Sequence, residues 1–203
     1  PITTAGFGCL RSSYSFVIGK VMSDGLVDMD GIQNMKNARN GGEFATYIFT
    51  YLSCRTFKMW MRTFCPAFVK NVPRPRFRLI NKTANVLMAE KLAIGILWIT
   101  MNERDWPTDE IGNRQFLLDM VQQCKDRGIN VGISTKKSDW EQIVGASWNK
   151  LSKLPLWWTT LTGSANFKNF VPFGGWSTPS IHQYVSDTKG GCSVGSVNLN
   201  WKP

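Results

Sequence analysis

The segment Gly95–Pro107, GILWITMNERDWP, carries the side chains whose types and spacing bear most directly on chemistry. Its apolar, β-branched run reads as a buried strand over Ile94–Met101, followed by a turn. Alternation along a strand puts Trp98, Thr100 and Asn102 on one face and Ile99, Met101 and Glu103 on the other. In an α/β barrel such a strand end is where a site is built. A hydroxyl and an amide there can hydrogen-bond a polar ligand, but neither gives up a proton at neutral pH. Glu103 is the nearest carboxyl, and its one-residue offset turns it to the opposite face as long as the strand continues.

Other chemistries are thinly supplied. His182 is the only histidine, so a site needing two imidazoles is excluded, and a structural place in a strand beside Gln183 is the expectation for it. The five cysteines, at 9, 54, 65, 124 and 192, lack Cys-x-x-Cys spacing, so neither a metal site nor a cofactor is expected. An odd count leaves a thiol over, and Cys124, on the apolar face of a helix, is the expected one. The glycine-rich KGGCSVGS, Lys189–Ser196, lacks phosphate-loop spacing and reads as a turn.

These side chains need a scaffold, and 203 residues suit one domain with a full core. Hydrophobic residues at 43% with 9 Trp exclude a disordered chain, and no run approaches the ~20 apolar residues of a membrane-spanning helix. A start at Pro1 rather than Met reads as a processed or trimmed product. The net charge of +10 is concentrated: from Ala45 to Ala89 there is no acidic residue, while Arg55, Lys58, Arg62, Lys70, Arg74, Arg76, Arg78 and Lys82 all fall there. That stretch suits an anionic polymer or membrane surface, or is simply a solvated face; nucleic acid is the weaker fit. Asn81-Lys82-Thr83 is an N-glycosylation sequon.

Helix-like and strand-like segments alternate. Strands are expected over Tyr14–Met22, Ala45–Leu52, Ile129–Thr135, Leu154–Leu161, Ser180–Val185 and Ser196–Trp201. Helices are expected over Ile32–Arg39, Thr56–Phe68 and Arg78–Lys91. Another runs from a Thr108 or Asp109 cap to Arg127, and a short one spans Ser138–Gly145 with Ser138 and Glu141 as a capping box. The pattern predicts an α/β fold, an irregular TIM-like β/α barrel in one domain over residues 1–203.

The motifs LWITMNERDWP, NVGISTKKSDWEQIVG, LPLWW, FVPFGGWSTPSIHQY and CSVGSVNLNWKP occur in this order, after TTAGFGCLRSSYSF and GLVDMDGIQNMKNARNGG. Together they resemble the glycoside hydrolase family 25 lysozymes, in particular the nematode branch, over nearly the whole chain. The resemblance implies a secreted muramidase scaffold that cleaves bacterial peptidoglycan, with an extended basic region at 55–78. It also implies that the family's strand-end Asp-x-Glu falls on Thr100 and Asn102, its late Asp on Asn198 and the Tyr of its GIYT on Ser134; its first-strand Asp would precede Pro1, so that strand is truncated.

Glycosidic cleavage takes a carboxylic acid to protonate the leaving oxygen and a second carboxyl on the oxocarbenium side. With those positions replaced, the expectation is a pseudoenzyme that binds cell-wall glycan or another carbohydrate in innate defence. Trp98, Trp106, Trp157, Trp158 and Gln183 are the candidate sugar contacts, and Arg55, Lys58, Arg62, Arg74, Arg76 and Arg78 the candidate anionic-surface contacts. Two alternatives stay open: an active muramidase using Glu103, and a scaffold for protein interaction.

Overall fold

The computed structural model describes residues 1–23, 26–42, 45–50, 85–92 and 95–203. The expected helix over 56–68, most of that over 78–91, the cations of 55–78, Cys54, Cys65 and Asn81 lie outside these residues.

Along the chain run α1 (Thr4–Leu10), β1 (Phe16–Ser23), β2 (Leu26–Val27), α2 (Met29–Asn40), β3 (Ala45–Thr50) and β4 (Leu97–Thr100). There follow α3 (Glu110–Asp126), β5 (Val131–Thr135), α4 (Lys137–Val144), β6 (Leu156–Trp158), β7 (Ile181–Lys189) and β8 (Ser196–Trp201). All eight strands share one sheet in the order β2-β1-β3-β4-β5-β6-β7-β8. The six from β1 to β7 in that order are parallel, and β2 and β8 pair antiparallel at the two ends. This is a mixed α/β architecture in which α2, α3 and α4 carry the chain back to begin β3, β5 and β6, while an irregular loop joins β6 to β7.

The sheet curls on itself. Phe16 and Ile18 of β1 pack with Trp98 of β4, Trp157 of β6 and Ile181 of β7, although several strands separate them in the sheet order. Among the described residues no ladder joins β1 to β8, but the Lys202 ammonium lies 5.5 Å from the centre of the Phe16 ring. On the outer face Leu97, Ile99, Met101 and Ile133 meet Leu117, Met120, Val121 and Cys124 of α3 in the main core. Burial there pushes the free thiol of Cys124 up to about 11.

Local signals explain most element ends. The Asp109 carboxylate accepts from the Gly112 N–H at 3.0 Å to start α3, and Gly128, at φ 67°, lets the chain leave it. The structure corrects the start of α4. Lys136 is the N-cap and gives no side-chain cap bond, while Ser138 lies inside the helix and forms no capping box. The strand expected over Leu154–Leu161 is only Leu156–Trp158, because the following loop turns back over β7; β7 itself runs on to Lys189 as a hairpin with β8. Helix α1 had no sequence signal strong enough to announce it. Gly6 and Gly8 dilute its pattern, and tertiary contacts hold it: Phe7 and Leu10 pack on Ala38, and Cys9 is bonded to Cys192 in the β7–β8 turn.

Candidate functional site

Strand β4 ends at Thr100, and the backbone stays extended through Asn102 before a 3-10 turn over Glu103–Asp105. The Met101 N–H still donates to Ser134 O at 2.9 Å, and the Thr135 hydroxyl donates to Met101 O at 3.1 Å, so β5 fixes this strand end. Thr100 is in register with Ser134, Ser134 with Trp157, and Trp157 with Ile181. Because Trp98, Trp157 and Ile181 face the interior of the curl, Thr100 and Ser134 face it as well. The Thr100 hydroxyl is buried with no hydrogen-bond partner among the described residues.

Asn102 is half-buried and caps the 3-10 turn, its side-chain oxygen accepting from the Arg104 N–H at 3.2 Å. Glu103 is exposed in that turn, the strand having ended before it. The turn meets the first turn of α4, which brings Glu103 close enough to act on the carboxyl of Asp139. Burial raises the Asp139 carboxyl above its ordinary value, with Glu103 adding to the rise and Lys136, 3.5 Å away, opposing it. That separation is an ion-pair contact too long for a good hydrogen bond, so burial prevails.

The tryptophans divide by face. Trp98 is fully buried, edge-on to Trp157 at 5.8 Å, and occupies the space left by Gly132, where a Cβ would collide with the indole. The Trp157 N–H donates to the Asn200 side-chain oxygen at 2.9 Å. Trp106 packs edge-on to Phe116 in the outer core, 5.8 Å between centres. Trp158, also outward, stacks on His182 at 4.1 Å. His182 is fully buried, and its two ring nitrogens each lie 2.7 Å from a carbonyl oxygen, of Asn166 and of Thr160. Gln183 is half-buried, in register with Asn200. Asn198 is exposed, and its side-chain oxygen accepts from the Asp187 N–H at 3.0 Å.

The structure therefore gathers Thr100, Ser134, Gln183 and Asn200 toward the inner face, with Asn102 at its rim and Trp98 and Trp157 as the packed layer beneath. It sets Trp106, Trp158 and Asn198 apart from them. Two cavities of about 420 and 340 Å³ open at the other end of the strands, lined by residues such as Ser152, Pro155 and Ser180, or Ile96 and Ile129; neither touches Thr100 or Asn102. The strand-end chemistry is the better guide to function, because polar side chains converge there from four strands. Among the described residues no group of His, Cys, Asp and Glu converges as a metal ion would need.

A family described as Lysozyme-like protein 1 matches residues 1–184. A Dictyostelium discoideum protein named Probable GH family 25 lysozyme 2 is 30% identical over 99% of this chain and 86% of its own length. The chain belongs to the lysozyme-like proteins of glycoside hydrolase family 25. Lysozyme-like protein 5 of Caenorhabditis elegans is 34% identical over 100% of this chain and 88% of its own length. Among solved structures, a bacterial lysozyme from Streptomyces coelicolor superposes with a TM-score of 0.64, covering 97% of this chain and 85% of its own, at 19% identity. That last likeness is one of fold.

In this lysozyme-like chain, three residues at or beside the site carry no local sequence signal of their place there. Ser134 stands in the GIST motif as the counterpart of a tyrosine, and its register with Thr100 puts it inside. Asn200 is two residues from Asn198, and only the irregular β7–β8 register shows that it, rather than Asn198, reaches Trp157. Asp139 comes against Glu103 through the docking of α4 on the 3-10 turn, which local sequence does not announce.

Proposed function

We propose that this lysozyme-like protein binds bacterial cell-wall glycan without hydrolysing it, as a secreted protein of innate defence built on a closed β/α barrel. One observation carries the reading. Where strand β4 delivers side chains to the inner face, they are a hydroxyl and an amide, and the neighbouring Glu103 sits in a solvent-exposed turn. Hydroxyls and amides hold sugar hydroxyls and acetamides, while protonating a leaving oxygen needs an acid placed against it. The glycan class is supported by relatives named lysozymes and by a fold neighbour titled an endolysin catalytic domain from a phage of Listeria monocytogenes. Secretion is supported by the Cys9–Cys192 disulfide, a bond of oxidising compartments. The cations at Arg55, Lys58, Arg62, Arg74, Arg76 and Arg78 add salt-sensitive attraction to anionic wall polymer or membrane in this reading, and Asn81 carries a glycan.

A second reading, hydrolysis through Glu103, has Asp139 in its favour as a neighbouring carboxyl that burial holds protonated to higher pH. Yet Asp139 is 5% exposed and paired with Lys136, so it is poorly placed to meet a substrate. Incubation with insoluble peptidoglycan separates the readings. The protein should sediment with the wall material and release no reducing ends from acid to neutral pH. Release abolished by Glu103→Gln establishes the muramidase, and no sedimentation with any glycan establishes the scaffold.

A further inference from the structure

From Val17 to Val21, strand β1 alternates between two environments. Val17 packs with α1 and α2, Ile18 with Trp98 inside the curl, and Val21 with Ile32 and Met35 outside. Gly19 is also outward, since a Cβ on it would run into the Met35 side chain. Lys20, between Gly19 and Val21, therefore faces inward, and the register shift of β1 falls only after it. Its backbone is clamped from outside, because Gly31 of α2 lies so close to Lys20 O that no Cβ would fit.

The level of Lys20 follows from its neighbours. Ile18 shares the packed layer of Trp98 and Trp157, so Lys20 is one inward step further toward the C-terminal strand ends, as Thr100 is from Trp98. The side chain is exposed, and none of the four ion pairs among the described residues includes it. The described residues facing inward at this level, Thr100, Ser134, Gln183 and Asn200, carry no charge. An ammonium that no described residue pairs, set among neutral hydrogen-bonding groups, favours a ligand that brings an anion with its hydroxyls and amides.

We propose that Lys20 is a specificity-determining residue that pairs with a carboxylate on the bound saccharide. This rests on the glycan-binding reading above and deepens it by naming the ligand as an acidic sugar. A carboxylate of this kind is present on a lactyl-ether amino sugar and on a hexuronate, and the ammonium reads the anion common to both.

The test measures binding of the full chain, by calorimetry, to three soluble oligosaccharides of equal length. One is a neutral N-acetylglucosamine oligomer, one alternates N-acetylglucosamine with N-acetylmuramic acid, and one alternates N-acetylglucosamine with glucuronate. Acidic oligomers should bind about tenfold tighter than the neutral one, with the advantage shrinking as salt rises. Lys20→Met should bring them level while leaving neutral binding and the melting temperature unchanged, and Lys20→Arg should keep the advantage. Gain with both acidic oligomers identifies the carboxylate alone as the determinant, and gain with only one assigns the source to that sugar. Equal affinity for all three in the parent protein overturns the role of Lys20 and leaves the glycan-binding reading standing. So does a loss on Lys20→Met that is the same for neutral and acidic oligomers. Absence of binding to every oligomer overturns both.

Discussion

The indole N–H of Trp157 donates to the side-chain oxygen of Asn200 at 2.9 Å, tying β6 to β8 across the intervening strand β7. Asn200 is oriented for this by giving its own N–H to Asn198 O at 3.2 Å. The bond fastens the antiparallel end strand to the inner aromatic layer, so the position of the last polar side chains at the site depends on it.

Asn200→Leu should cost about 1–3 kcal/mol, because the buried indole loses its acceptor without gaining water. In a double-mutant cycle with Trp157→Phe, the pair should show about 1 kcal/mol of coupling. Urea denaturation checks this. Additive single effects would mean the contact contributes nothing of its own.

Gly132 and Trp98 form the second constraint on the inner layer. A methyl group at position 132 collides with an indole that is fully buried and has nowhere to retreat. Gly132→Ala should therefore destabilise by about 1–3 kcal/mol, the usual cost of overpacking. Combined with Trp98→Leu, which opens space at the same spot, the alanine should become nearly neutral. If it stays equally costly, the strain lies elsewhere than against the ring.

His182 organises the loop between β6 and β7. Its ring nitrogens face the carbonyls of Asn166 and Thr160, and its ring stacks on Trp158. His182→Leu removes the ring N–H that donates to one of these carbonyls, at about 1–3 kcal/mol, and should speed amide exchange across residues 160–170. His182→Phe keeps the stacking and should recover only part of the loss. Full recovery would make the ring contact, rather than the hydrogen bond to a carbonyl, the organising interaction.

Long periodic segments were readable in advance because one physical rule governed each. Asp109, the apolar stripe through Leu117, Met120 and Cys124, and Gly128 announce α3 almost residue by residue. β8 was fully legible over Ser196–Trp201. The face of Trp98 and Thr100 followed from alternation, but which side of the sheet was interior did not, since that depends on where distant Phe16 and Ile18 land when the sheet curls. α1 hid for the same reason: a short helix with two glycines has little propensity of its own and exists through a disulfide to a residue 183 positions away. The site's carboxylate neighbourhood was equally hidden, because Asp139 and Glu103 meet only when α4 docks on the 3-10 turn.

That meeting gives the last prediction its sign. The Asp139 carboxyl is raised above its ordinary 3.8, mainly by burial and further by Glu103, against the pull of Lys136. A folded state whose carboxyl titrates higher than the unfolded chain's holds more protons in the window between the two values, so stability falls as pH rises through that window. The contribution is full below the ordinary aspartate value and lost above the raised one. Asp139→Asn cannot ionise, yet it keeps nearly the same shape in the buried position. The variant should therefore gain stability relative to the parent as pH rises from about 3 to about 7, and the difference should level off once Asp139 is ionised in both states. Denaturation midpoints of the two proteins across that range decide it. A difference that stays constant, or that moves in favour of the parent, would show that the Lys136 contact outweighs burial and that the carboxylate is the form the fold prefers.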